Sequence, residues 1–148
     1  MLVVSFGRVP AVGYARPYSA FDWPHQSILH AICDSPTFKP GEKKVLMLGT
    51  DRGSFNANNF ELAVVRERLP LLVDTTAYEK DLGRLLRAVD ATSFFVYKEG
   101  GEPESTFFNQ HFREVVGHVR ESGLFEELLP PRELPDGGTA HVFRRLTR

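Results

Sequence analysis

The sequence predicts an α/β domain, a three-layer Rossmann-like arrangement with a mostly parallel sheet and a C-terminal antiparallel hairpin. Two observations carry this. Short apolar runs at Val45–Leu48, Leu71–Val73 and Phe94–Tyr97 are separated by stretches of helical periodicity. Strand–helix alternation with short connections builds a parallel sheet with crossover helices. Farther on, Pro135-Asp136-Gly137 is a tight-turn sequence between two extended stretches, Leu124–Leu129 and Thr139–Arg145. Pro sets φ for the first corner, Asp bonds its own backbone, and Gly takes positive φ without a Cβ clash. The 148 residues suit one domain. Residues 1–24 form an irregular arm and residues 44–148 the regular βα core.

Each element has a local reason. Residues 10–24 are rich in Pro, Gly and Tyr. Asp22 offers an N-cap, Pro24 sits in a first turn where its missing N–H costs little, and Ile28, Leu29 and Ile32 give one apolar face. Asp34-Ser35-Pro36 stops that helix, and Pro40-Gly41 is a turn. The continuous run Val45–Leu48, followed by Gly49, predicts a strand covered on both faces. Phe60, Val64 and Leu69 predict a helix entered through Asn56–Asn59 and ended by Pro70. Leu71–Val73 is a second short buried strand. Thr76 and Glu79 have capping-box spacing ahead of a helix whose stripe is Leu82, Leu85, Leu86 and Val89. Phe94–Tyr97 is the third strand. After a loop at Gly100-Gly101-Glu102-Pro103, Phe108, Phe112, Val115, Val116 and Val119 define a long helix with Gly123 at C′.

Composition excludes several functions. Apolar residues make up 42% and charged residues 25%, as in an ordinary globule. The 18 basic and 19 acidic side chains leave a formal charge of −1. A protein built to ride on phosphate backbones carries a basic surplus, so no nucleic-acid partner is expected. Cys33 is the single cysteine. It rules out an intramolecular disulfide and a cysteine-based zinc site, and it sits on an apolar helix face where a thiol packs. No stretch reaches the roughly 20 apolar residues of a membrane span, and no secretory signal opens the chain. The chain by itself is expected to be soluble. Its abrupt apolar opening, Leu2-Val3-Val4, fits a segment of a longer polypeptide.

In open α/β sheets ligands lie beyond the carboxyl ends of the strands. Those ends supply Asp51, Arg52 and Ser54, then Asp74, Thr75 and Thr76, then Lys98 and Glu99. With Asn59 at the start of a helix, Asp51, Arg52, Asp74, Thr75 and Lys98 are the candidate ligand residues for a sugar, a phosphate or a nucleotide. Polar loops at strand ends and Asn caps are also the ordinary furniture of such sheets. Gly49-Thr50-Asp51-Arg52-Gly53-Ser54 lacks the third glycine of a dinucleotide fingerprint and the lysine of a Walker motif, so neither NAD nor ATP is expected as a cofactor. The five histidines lack the i, i+4 spacing of a helical metal site and read as partly exposed surface residues; no metal is expected. No nucleophile elbow exists. The carboxylate pairs Glu126-Glu127 and Asp74/Glu79 show no common substrate face. Tyr14, Tyr18, Phe21 and Trp23 cluster in the arm, where rings cover the sheet, contact a neighbouring domain or stack on sugars; Tyr18, Phe21 and Trp23 are the candidate interface.

A set of ordered pieces resembles a known family. Asp22-Trp23 precedes a helix, and Val45–Leu48 forms the first strand. Asn58-Asn59-Phe60 opens the next helix, and Ala88-Val89-Asp90 precedes the strand Phe94–Tyr97. Gly123-Leu124-Phe125 is followed by Leu134-Pro135-Asp136-Gly137-Gly138 and Val142-Phe143-Arg144-Arg145. From about residue 20 onward the chain resembles the C-terminal soluble domain of membrane glycosyltransferases of the dolichyl-phosphate-mannose protein mannosyltransferase type. The resemblance implies a domain on the extracytoplasmic, periplasmic side of the membrane. It would cover the active site of a membrane domain in the same polypeptide, or help bind a sugar or glycan acceptor. Transfer from the lipid-linked donor uses acidic residues of the membrane domain, so no catalytic residue carries over to this chain. Two alternatives stand beside it. One is a freestanding small α/β enzyme acting on a phosphorylated or sugar-like metabolite through Asp51, Arg52, Asp74 and Lys98; the other is a protein-interaction domain.

Overall fold

The computed structural model describes residues 23–36, 38–39, 41–51, 53–101 and 110–146. In chain order the elements are α1 (His25–Cys33), β1 (Lys44–Leu48), α2 (Ala57–Glu67), β2 (Leu71–Thr75), α3 (Leu82–Ala91), β3 (Phe94–Glu99), α4 (Phe112–Glu121), β4 (Phe125–Glu133) and β5 (Thr139–Arg145). Tyr14, Tyr18, Phe21, Asp22, Arg52, Glu102, Pro103 and Phe108 lie outside the described residues.

The five strands form one sheet in the order β2-β1-β3-β5-β4. β1 pairs in parallel with β2 and β3, whereas β5 pairs antiparallel with both β3 and β4. The sheet is therefore mixed, and the expectation of a mostly parallel sheet is corrected. The cause is the placement of the hairpin. β5 rather than β4 docks on β3, with register Phe94↔Arg144 through Glu99↔Thr139. Half of the strand pairings thereby become antiparallel.

Side-chain alternation sorts the sheet into two clusters. Leu46, Leu48, Phe94, Val96, Ala140 and Val142 pack with Ile28, Leu29 and Ile32 of α1 and Phe60 and Val64 of α2. Met47, Phe95, Tyr97 and Phe143 pack with Leu85 and Val89 of α3 and Val115 and Val119 of α4. Gly49 continues β1 where a Cβ would lie 2.5 Å from Phe95 Cζ, so only glycine fits beneath that ring.

Several local expectations change. The cap of α3 is Asp81, which accepts a hydrogen bond from Arg84 N–H at 2.7 Å. Thr76 is not the cap, because its hydroxyl instead reaches Leu48 C=O at 3.3 Å across the sheet end. The residue at the N-cap position of α1 is Pro24, with no side-chain cap. Asn56 caps α2, accepting from Asn59 N–H at 2.8 Å. Gly123 follows α4 at φ +68°, as a C′ glycine should. β4 extends beyond Leu129 to Glu133, with one register shift between Glu127 and Leu129 and a second, between Leu129 and Arg132, that accommodates Pro130 and Pro131 on this edge strand. β2 is not fully buried: it is the opposite edge, and Leu72 is 52% exposed.

Candidate functional site

The carboxyl ends of β1 and β3 and the turn before β5 share one end of the sheet. β3 delivers Lys98, whose side chain is only 2% exposed. Its ammonium donates to Asp136 Oδ2 in a buried ion pair. The Lys98 backbone is held from the other side: its N–H donates to Thr50 Oγ1 at 2.8 Å, and the Thr50 hydroxyl faces Lys98 C=O at 3.2 Å. Lys98 Nζ also lies 5.8 Å from the centroid of the Trp23 ring, within cation–π range.

The turn sequence exists to make this pair possible. Asp136 Oδ1 accepts from Gly138 N–H at 3.1 Å, Gly137 takes φ +80°, and Leu134 N–H donates to Gly138 C=O at 2.8 Å. A Cβ on Gly138 would stand 2.7 Å from Lys98 Cε and 2.9 Å from Gly100 C=O. The Leu134–Gly138 segment thus wraps closely around the lysine stem.

Trp23 is buried and belongs to the first core cluster. Its ring stacks on His25 with centroids 5.9 Å apart and planes within 8°. His25 meets Phe60 edge-on at 4.8 Å, and Phe55 closes the group at 6.4 Å from Trp23. His25 is 7% exposed, which corrects the expectation of partly exposed surface histidines for this residue. Burial holds its imidazole below the ordinary value of 6.5, opposed by a hydrogen bond with the Ser54 backbone. Among the described residues its Nε2 has no hydrogen-bond partner.

The loop after β1 engages its own polar groups. Asp51 Oδ1 accepts from Ala57 N–H at 3.4 Å, Asn56 accepts from Asn59 N–H, and Asn59 Nδ2 donates to Ser54 C=O at 2.8 Å. The first-turn amides of Ala57 and Asn59 are therefore occupied by side chains of the protein rather than offered to an anion. Asp74 and Thr75 stand one strand away on β2. Asp74 Oδ1 accepts from Thr75 N–H at 2.8 Å, and Thr75 Oγ1 accepts from Ala77 N–H at 3.2 Å. The structure joins Thr50, Lys98, Asp136 and Trp23 directly, ties Asp51 and Asn59 into the adjacent loop, and leaves Asp74 and Thr75 in their own local turn.

Sequence reasoning missed Asp136, Thr50 and His25. The signal for Asp136 was present as a turn residue, but its partner lies 38 positions earlier. Other polar pairs lie away from this end of the sheet or along its strands. Glu126 bonds Arg144, Glu127 lies 3.2 Å from His141 Nδ1, and His118 lies 2.7 Å from Asp90. Among the described residues no group of three or more His, Cys, Asp or Glu side chains could hold a metal ion, and no helix is long and apolar enough to cross a membrane. No family model, curated protein or solved structure matches the chain.

Proposed function

We propose that this chain is the extracytoplasmic accessory domain of an integral-membrane glycosyltransferase that uses a lipid-linked sugar donor. It covers the membrane active site or helps bind acceptor, and it transfers no sugar by itself. The observation that carries this reading is the convergence of pieces far apart in sequence. Trp23, Phe60 by way of Phe55 and His25, and the Leu134–Gly138 turn all gather at the Lys98 end of the sheet. These are residues of the segments on which the family resemblance rests. We also read the packing of helices on both faces of the sheet as the half-Rossmann layering of that domain type.

The chemistry of the polar groups favours a scaffold over a catalyst. A catalytic acid or base has to reach substrate within hydrogen-bond distance. Lys98 is buried and paired, Asn59 holds the Ser54 carbonyl, and Asp51 faces a helix amide. The freestanding-enzyme alternative needs Lys98 at the substrate, which this burial disfavours.

The test is made in the source cell, with an antibody raised against the chain. The epitope is expected in a carbonate-resistant membrane fraction, on a polypeptide longer than this sequence, and cleaved by protease added from the extracytoplasmic side. Recovery of the epitope in the cytosol as a 148-residue protein would overturn the reading.

A further inference from the structure

The two edges of the sheet are built differently. β4 carries Pro130, Pro131 and two register shifts, the devices that keep an exposed edge from templating another strand. β2 has the sequence Leu-Leu-Val-Asp-Thr, with no proline, lysine or bulge inside it. Lys44 N–H donates to Pro70 C=O, and Thr76 N–H donates to Leu48 C=O. Even-numbered positions therefore turn their backbone groups toward β1, and Leu71 and Val73 aim theirs away from the sheet. Beside this edge lies an open groove whose lining includes Lys43, Val65, Arg68, Leu71 and Leu72. Leu72 is 52% exposed, and on α2 Val65 is 68% and Leu62 65% exposed. Three of the five large apolar side chains exposed among the described residues thus lie on β2 and the adjoining helix.

We propose that β2 is the interface of a twofold homodimer in which the β2 strands of two copies pair antiparallel and continue the sheet. The charge pattern selects a second copy as the occupant. Basic Arg68, the C-cap of α2, lines the groove ahead of the strand, acidic Asp74 stands near the strand's end, and Leu72 lies between them. Neither Arg68 nor Asp74 forms an ion pair among the described residues. With the twofold axis at Leu72, each Leu72 meets its copy in a non-hydrogen-bonded pair. Leu71 exchanges hydrogen bonds with Val73 of the second copy, and Pro70 falls opposite Asp74. Arg68, the C-cap residue of α2, lines the groove beside Pro70, so the opposing carboxylate arrives at the end of the strand that Arg68 adjoins. A bilayer surface fits less well, because unpaired strand backbone is not tolerated in hydrocarbon.

The test is sedimentation equilibrium on the whole chain across a concentration series, at low salt. The wild type is expected to approach twice the monomer mass. Leu72→Lys, Arg68→Asp and Asp74→Arg are each expected to sediment as monomers with an unchanged circular dichroism spectrum. An equimolar mixture of Arg68→Asp and Asp74→Arg chains restores complementary charge and is expected to recover the dimer. A wild type that stays monomeric throughout the series, or a dimer indifferent to all three substitutions, overturns the proposal. So does a mixture that fails to reassociate while both single variants remain folded.

Discussion

An ammonium held away from water is tolerable only while its counter-ion stays in place. Lys98 and Asp136 are 2% and 10% exposed, so removing one partner strands the other in a low-dielectric site. Asp136→Ala and Lys98→Met are each expected to lower unfolding free energy by about 3–5 kcal/mol in urea titrations. The double variant Lys98→Met/Asp136→Ala is expected to lose less than the sum, because no unpaired charge remains. Additive losses would mean that the two groups do not interact in solution. This pair was not legible in the sequence. Lys98 was found as a strand-end residue and Asp136 as a turn residue, each by a local rule. Their meeting depends on β5 rather than β4 docking on β3, and no local pattern records that choice. His25 escaped for a related reason: beyond its neighbour Trp23, its burial is created by Phe55 and Phe60, which belong to the entry of α2.

Elements were more readable than contacts, because helical periodicity and capping are short-range. The stripe Leu82, Leu85, Leu86 and Val89 located α3, although the cap is Asp81, farther along the chain than Thr76 suggested. Asp81→Ala is expected to cost about 1 kcal/mol of stability, measured by denaturant melting. A silent Asp81→Ala would remove the cap role from this residue. Strand positions were also legible, but strand environments were not. Leu71–Val73 reads the same in a central strand or at an edge, since a three-residue apolar run lacks the length to show alternation. Only the sheet order shows that Leu72 faces water.

At the scale of the whole molecule, His25 links stability to pH. Its folded-state value lies below the ordinary 6.5 because burial disfavours the imidazolium. Well above pH 6.5 the ring is neutral in both states and His25's contribution to stability is fully present. As pH falls below that value the unfolded chain takes up a proton that the folded chain resists, so stability declines until the folded-state value is passed. The urea midpoint is expected to fall between pH 7 and pH 5 more steeply in the wild type than in His25→Phe. Parallel pH profiles for the two proteins would assign the decline to other groups.

The sheet order also governs when the molecule can be completed. β5, formed by residues 139–145, occupies an interior position between β3 and β4, and it contributes Val142 to one core cluster and Phe143 to the other. A nascent chain that has emerged only as far as β4 still has a vacant slot beside β3, with the ammonium of Lys98 lacking its counter-ion. Cooperative closure therefore waits until residues 139–145 have been translated.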